Sequence, residues 1–205
     1  MDPDREALAR VAGGDAEAFA PLVERHQERL LRLCTRLLHD PEEARDAAQE
    51  VFLKAYRAAA SYQPRGQVFT WLYRIAVNHC LNRLRRRAVA RFLSLAERHD
   101  RNDEGEPGHD PPDPGAAPDR ALEARRRWGA TRRALAALPP GQRAVLVLAK
   151  FEGLKGKEIA AALGITEGAV ESRLVRALRT LLKAQEARVR RVSEEGRENG
   201  RRGRS

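Results

Sequence analysis

Five residues of one predicted helix carry the chemistry that unpaired nucleic acid needs. Trp71, Arg74, Asn78, Asn82 and Arg85 stand at offsets of 0, 3, 7, 11 and 14, so a helix puts them on one face. An indole can stack on a base, carboxamides can bond to base edges, and guanidinium groups can follow phosphates. Trp71 fits the core of such a helix equally well, and spacing does not choose between the two. Arg83 to Arg87 holds four arginines in five residues, and Arg91 extends the run. That pattern suits either a phosphate-tracking helix end or a solvated face.

A second group lies upstream. Asp46, Gln49, Glu50 and Lys54 fall on neighbouring turns of another predicted helix, either as an ordinary wet face or as a docking patch for a basic partner helix. A third group is a helix-turn-helix pattern between Lys157 and Val170. Ala160 is small where two helices touch, Leu163 is expected to pack inward, and Gly164 supplies the positive φ of a tight turn. Thr166 suits the N-cap of the second helix. Beyond it Val170, Leu174, Ala177, Leu178 and Leu181 form an apolar side. Glu167, Gly168, Glu171, Ser172, Arg173, Arg176 and Arg179 form the other. A recognition helix presents such N-terminal residues to base edges in the major groove, where arginine can hold guanine bidentately. No catalytic constellation is visible: there is no Gly-rich phosphate loop, no His-Glu-x-x-His and no carboxylate cluster placed for a metal pair. Cys34, Cys80, His26 and His79 lack zinc-finger spacing, so neither a metal nor another cofactor is expected.

These groups need helices to hold them, and the composition provides for that. Of 205 residues 42% are apolar but only 5% aromatic, so alanine and leucine do the packing, which favours helix over strand. The expected fold is all-α. Phe19, Leu22, Val23, His26, Leu30, Leu33 and Leu37 follow helical spacing after a capping Asp15. Asp40-Pro41-Glu42-Glu43 then opens a second helix, with Val51, Phe52 and Ala55 on its buried side. A loop with Pro64 and Gly66 precedes a third helix over about 69–87, its inner side being Leu72, Ile75, Ala76 and His79. A further helix from about Ala121, the break at Pro139-Pro140-Gly141 and a short apolar helix, Ala144 to Leu148, come before the helix-turn-helix.

Between Glu97 and Arg120 there are eight acids and three arginines, with prolines and almost no apolar side chains. Such a segment cannot offset its ordering entropy. The organisation expected is therefore a helical domain at 1–92, a disordered acidic linker at 93–120, a helix-turn-helix domain at 121–187 and a disordered basic tail at 188–205. Lysine and arginine outnumber acids 39 to 29, a net charge of +10, which suits a polyanionic partner. Two cysteines give no disulfide framework and fit a reducing cytoplasm. Met1-Asp2-Pro3-Asp4 has no apolar stretch, so no secretory signal is expected.

The order of these parts resembles an extracytoplasmic-function sigma factor, the minimal two-domain branch of the bacterial sigma-70 family. Asp40 to Tyr56 looks like the polymerase-binding helix of sigma region two, Phe69 to Asn78 like its promoter-melting helix, and Leu138 to Leu182 like sigma region four. The resemblance implies that Asp46, Gln49, Glu50, Phe52 and Lys54 bind core RNA polymerase. It implies that Tyr62 and Arg65 of the loop, with Trp71, Arg74, Asn78, Asn82, Arg85 and Arg86, hold the minus-ten element and the separated non-template strand. Thr166, Glu167, Gly168, Glu171, Ser172, Arg173 and Arg176 would meet duplex promoter DNA at the minus-35 element. It implies initiation of transcription without an active site or small-molecule substrate in the chain, a stress-responsive role, and an anti-sigma factor, often membrane-bound, as regulator. Lys155 and Gly156 stand where the family carries serine and a bulky aromatic, and Glu171 where it often carries lysine. The alternative is a stand-alone helix-turn-helix transcriptional regulator; a nucleic-acid enzyme is a third reading.

Overall fold

The computed structural model describes residues 2–63, 67–97 and 128–202. Every regular element among them is helical. α1 is Pro3–Ala12, α2 Ala20–Leu38, α3 Pro41–Arg57 and α4 Val68–Glu97, with 3-10 turns at Ala16–Phe19 and Ala59–Ser61. α5 covers 128–136. α6 is Pro140–Lys150, α7 Gly156–Leu163 and α8 Glu167–Arg202. No helix among the described residues is long and apolar enough to cross a membrane.

The helix starts follow local chemistry. The Asp40 side chain accepts from the Glu43 amide at 3.0 Å, with Pro41 at the first helical position. Asp15 caps the Ala16 turn rather than α2 itself, and its carboxyl is held below its usual range by Arg10. α1 was not expected, although Asp2-Pro3 is a cap and N1 pair and Leu8 is fully buried. It is tied down by Asp4, whose carboxylate meets Arg25 and lies 2.6 Å from His26 Nε2.

α2, α3 and α4 form the first bundle. Leu22, Leu30, Leu33 and Leu37 meet Ala44, Ala47, Val51 and Ala55 of α3, and Leu72, Ala76, Val77 and Cys80 of α4. The α3 alanines are small, so the helix axes can approach closely. α4 is buried over a wider arc than expected. Tyr73, Val77 and Cys80 are inaccessible, whereas Ile75 and His79 are only half-buried. The cause is a second neighbour: α4 packs on α2 and α3 on one side and on α6 and α7 on the other. α6 likewise buries Ala144 through Leu148 all round, the pattern of a helix covered on every side. It lies between α8 and the first bundle.

The two helical domains thus share one continuous apolar core. Two details differ from the apolar pattern. Ala162 fills the interior while Leu163 stays half-buried, and Leu178 is 40% exposed. The expected linker at 93–120 is helical as far as Glu97, and its remainder lies outside the described residues. The tail expected to fray from 188 continues as α8 through Arg202. Arginine and glutamate are good helix formers, and they extend a helix already nucleated by packed turns.

Candidate functional site

α4 presents the first surface. Arg74, Asn78, Asn82, Arg85 and Arg86 are exposed along it, and Arg85 donates to Asn82 Oδ1 at 3.1 Å. Trp71 is half-buried at the head of this stripe. Its ring lies 5.1 Å from that of Tyr62, edge to face. The two placements open in the sequence therefore merge: the indole is seated on the core and still reaches the surface. Arg65 lies outside the described residues.

α3 presents the second surface. Asp46, Gln49, Glu50 and Lys54 are exposed, but Phe52 is 9% exposed and belongs to the core. Beside them runs an apolar groove of about 650 Å³, lined by Ala16, Phe19, Ala20, Val23, Gln49, Phe52, Leu53 and Tyr56. Leu53 and Tyr56, 48% and 41% exposed, escaped the sequence reading. Their signal was two large side chains three residues apart on the wet side of α3. The Phe19 ring packs edge-on against both Phe52 and Tyr56.

The acids of α3 face the arginines of α4. Arg83 lies 3.9 Å from Asp46, and Arg87 pairs with Glu43 and lies 3.8 Å from Asp40. Glu43 thus turns to α4 as well as opening α3. Lys54 donates to His79 Nδ1 at 2.6 Å. Burial, Lys54 and Arg83 hold the His79 imidazole below its usual pKa, so the ring is kept neutral to accept. Cys34 and Cys80 are buried neighbours; their hydrogen bond and burial push the Cys80 thiol well up, which leaves it inert.

The third surface is the start of α8. Gly164 takes φ +64 and ends α7. Thr166 Oγ1 accepts from the Ala169 amide at 3.2 Å. Ala160 and Val170 are buried at the contact between the two helices. Thr166, Glu167, Gly168, Glu171, Ser172 and Arg176 are exposed in the first turns of α8. Arg173 is half-buried and leans on the start of α6, where a Cβ added at Gly141 would lie 3.4 Å from its Nη1. Lys155-Gly156 opens α7 without a serine, because Glu158 Oε2 accepts from the Lys155 amide at 2.8 Å. No group of three or more metal-ligating side chains occurs among the described residues.

Two models cover both helical domains: one described as Sigma-70 region 2 matches residues 22–89, and one described as Sigma-70, region 4 matches residues 129–181. The chain belongs to the sigma-70 family, in its extracytoplasmic-function (ECF) branch. It is 36% identical over 174 residues to the ECF RNA polymerase sigma factor SigM of Mycobacterium tuberculosis, covering 85% of this chain and 80% of that one. Among solved structures it superposes on CnrH of Cupriavidus metallidurans, in complex with the cytosolic domain of CnrY, at TM-score 0.63 and 27% identity. That match covers 91% of this chain and 99% of CnrH. The fold is also that of the sigma factor RpoE of Bartonella quintana, solved with the anti-sigma factor NepR, at TM-score 0.62 and 19% identity over 83% of this chain and 98% of that one. This ECF sigma factor directs RNA polymerase to promoters and is not itself an enzyme. A match to region two across the first domain removes the stand-alone regulator, whose resemblance rested on the C-terminal half.

Proposed function

We infer that the three surfaces divide the work of promoter recognition. The α3 patch of Asp46, Gln49, Glu50 and Lys54 docks on a basic element of core polymerase, and the groove at Leu53 and Tyr56 seats apolar side chains of the same element. Phe52 supports that groove from within. The α4 stripe holds the melted non-template strand at the minus-ten element, with Trp71 stacking on a base and Arg74, Arg85 and Arg86 on phosphates. The start of α8 reads duplex DNA at the minus-35 element, Ser172 and Arg176 foremost. The observation that carries this reading is one face of α4, exposed at Arg74, Asn78, Asn82 and Arg85 and headed by the half-buried Trp71, whose indole is braced by Tyr62. Stacking on an aromatic ring offsets roughly 1–3 kcal/mol of unpairing per base.

The chain works in the cytoplasm, where polymerase is, and its regulator is an anti-sigma factor. Support for that partner comes from the two solved relatives, each captured with a second protein, in one case the cytosolic domain of CnrY. Run-off transcription tests the whole assignment. Core polymerase with this chain alone should start at discrete sites on genomic DNA, and starts no different from those of core polymerase by itself would overturn it.

A further inference from the structure

Two rings stand at the head of the α4 stripe, Tyr62 and Trp71, and both are anchored through α1. That helix lies ahead of residues 22–89, the span that matches region two, and none of the three contact surfaces includes it. Its inner face is Asp4, Ala7, Leu8 and Val11, all buried. α1 packs on the Ala16–Phe19 turn, on the Ala59–Ser61 turn and on α2.

The first anchor is the Ala59–Ser61 turn. Ala59 is buried, and its carbonyl oxygen accepts from the Tyr62 amide at 3.1 Å. The turn against which α1 packs therefore ends on Tyr62, the ring that braces the indole at 5.1 Å. The second anchor runs through Asp4. Its carboxylate pairs with Arg25 and lies 2.6 Å from His26 Nε2. An ionised carboxylate only accepts, so Nε2 carries a proton and donates. That bond fixes the imidazole, which stacks on the Phe69 ring with centres 5.8 Å apart and planes at 28°. The Arg29 guanidinium also lies over Phe69, 3.7 Å from the ring centre.

Phe69 stands in the first turn of α4, two residues before Trp71. The Gln67 carbonyl oxygen accepts from the Thr70 amide at 3.1 Å and from the Trp71 amide at 3.4 Å, and the second bond is long. A first turn has few backbone partners of its own, so its placement depends on what grips its side chains. Stacking on a ring gains most where the ring is already in place, because ordering it on binding gives part of the gain back.

We propose that α1 is a positioning element for strand capture: it sets Tyr62 against Trp71 by gripping the chain on both sides of them, and Asp4 is the positioning residue on the α4 side. The proposal deepens the promoter-strand assignment above and rests on it for the role of Trp71. The grip itself is a property of the free chain.

The test compares the full wild-type chain with two variants. Asp4→Asn keeps the shape of the side chain and loses the charge that holds Arg25 and His26. Hydrogen exchange at the Tyr62, Thr70 and Trp71 amides should quicken roughly tenfold, while Val51 and Ala55 in the middle of α3 keep their rates. His26→Phe leaves Asp4 paired with Arg25 and a ring over Phe69, and cuts only the link between them. Its quickening should be confined to Thr70 and Trp71. With core polymerase, at a promoter found by run-off transcription, Asp4→Asn should lower permanganate-reactive open complex roughly tenfold with polymerase affinity unchanged. Wild-type exchange at all three amides in both variants would overturn the proposal. So would quickening that spreads equally to Val51 and Ala55 in both, or faster exchange with open complex undiminished. Failure of the run-off assay would instead remove the role of Trp71 and leave the grip standing.

Discussion

Arg143 Nη1 donates to the carbonyl oxygen of Leu37 at 2.6 Å, joining two residues 106 positions apart. The same guanidinium donates to Leu135 O at 2.9 Å, to Leu138 O at 3.2 Å and to Ala136 O at 3.3 Å. Leu37 closes α2, and residues 135 and 136 close α5, so one side chain caps the C-termini of two helices from different domains. The last carbonyls of a helix have no partner within it and carry partial negative charge. A buried cation placed there needs no carboxylate. Burial still lowers the Arg143 pKa from its usual value, without removing the charge of a guanidinium.

Arg143→Ala should therefore destabilise the chain beyond an ordinary surface change. It takes the guanidinium from four carbonyl oxygens, of which Leu135 O keeps the Leu138 amide at 3.1 Å, and buried polar groups cost about 1–3 kcal/mol each when unsatisfied. We expect urea unfolding to show a loss of about 3 kcal/mol or more. A loss under about 1 kcal/mol would mean that water replaces the guanidinium freely.

Trp71→Ala should impair strand separation more than polymerase capture. Loss of one stacking platform costs roughly 1–3 kcal/mol, or about ten- to a hundredfold in open complex. Permanganate reactivity of promoter thymines reads this directly, and Trp71→Phe should restore part of it. Normal reactivity in the alanine variant would take the indole out of the melting step.

Replacing Asp46 and Glu50 by alanine should weaken binding to core polymerase while leaving the fold intact. Asp46 is 68% exposed, and its ion pair with Arg83 is 3.9 Å long. Such a pair contributes well under 1 kcal/mol. A loss of polymerase affinity with unchanged urea midpoint would identify docking groups; unchanged affinity would make the patch an ordinary wet face.

Acid should loosen the seam through His39. Its imidazole is half-buried beside Arg143 and Arg132, and burial together with those cations lowers its pKa from 6.5 to about 4. The unfolded chain takes up a proton as pH falls through 6.5, while the folded chain does so only near pH 4. Stability from this group is complete above about 6.5 and is lost progressively down to about 4. His39→Asn should flatten that part of the acid limb in thermal melts across pH 4–7. Asparagine also tolerates the left-handed backbone at this position, φ 63, better than most residues. An acid limb identical to wild type would assign it to other groups.

Local signals were legible in the sequence because they act over three or four residues. Asp40 and Thr166 cap, and Gly164 turns, through bonds to amides a few positions away. The stripe on α4 and the start of α8 were legible for the same reason: helical spacing alone puts their residues on one side. Glu152 and Arg143 were not legible. In the sequence Glu152 is one acid between Phe151 and Gly153, like any turn residue, and Arg143 precedes an apolar run as a solvated arginine would. Arg29 and Arg36, which pair with Glu152, and Leu37, whose carbonyl Arg143 reaches, lie more than 100 positions away, beyond any periodicity. The width of the buried face of α4 was missed for the same cause, because its second neighbour comes from the other end of the chain. Leu53 and Tyr56 remained hidden because exposed apolar side chains carry no pattern of their own.

Gly164 has one further consequence. A Cβ added there would meet nothing within 4 Å, yet its φ of +64 is one that side-chain-bearing residues resist. No crowding at Gly164 itself requires glycine; its left-handed backbone does. The angle at which the start of α8 is offered to a groove rests on that backbone conformation together with the buried Ala160 and Val170 contact, and a single carbon at this corner would strain the turn without altering any residue proposed to contact DNA.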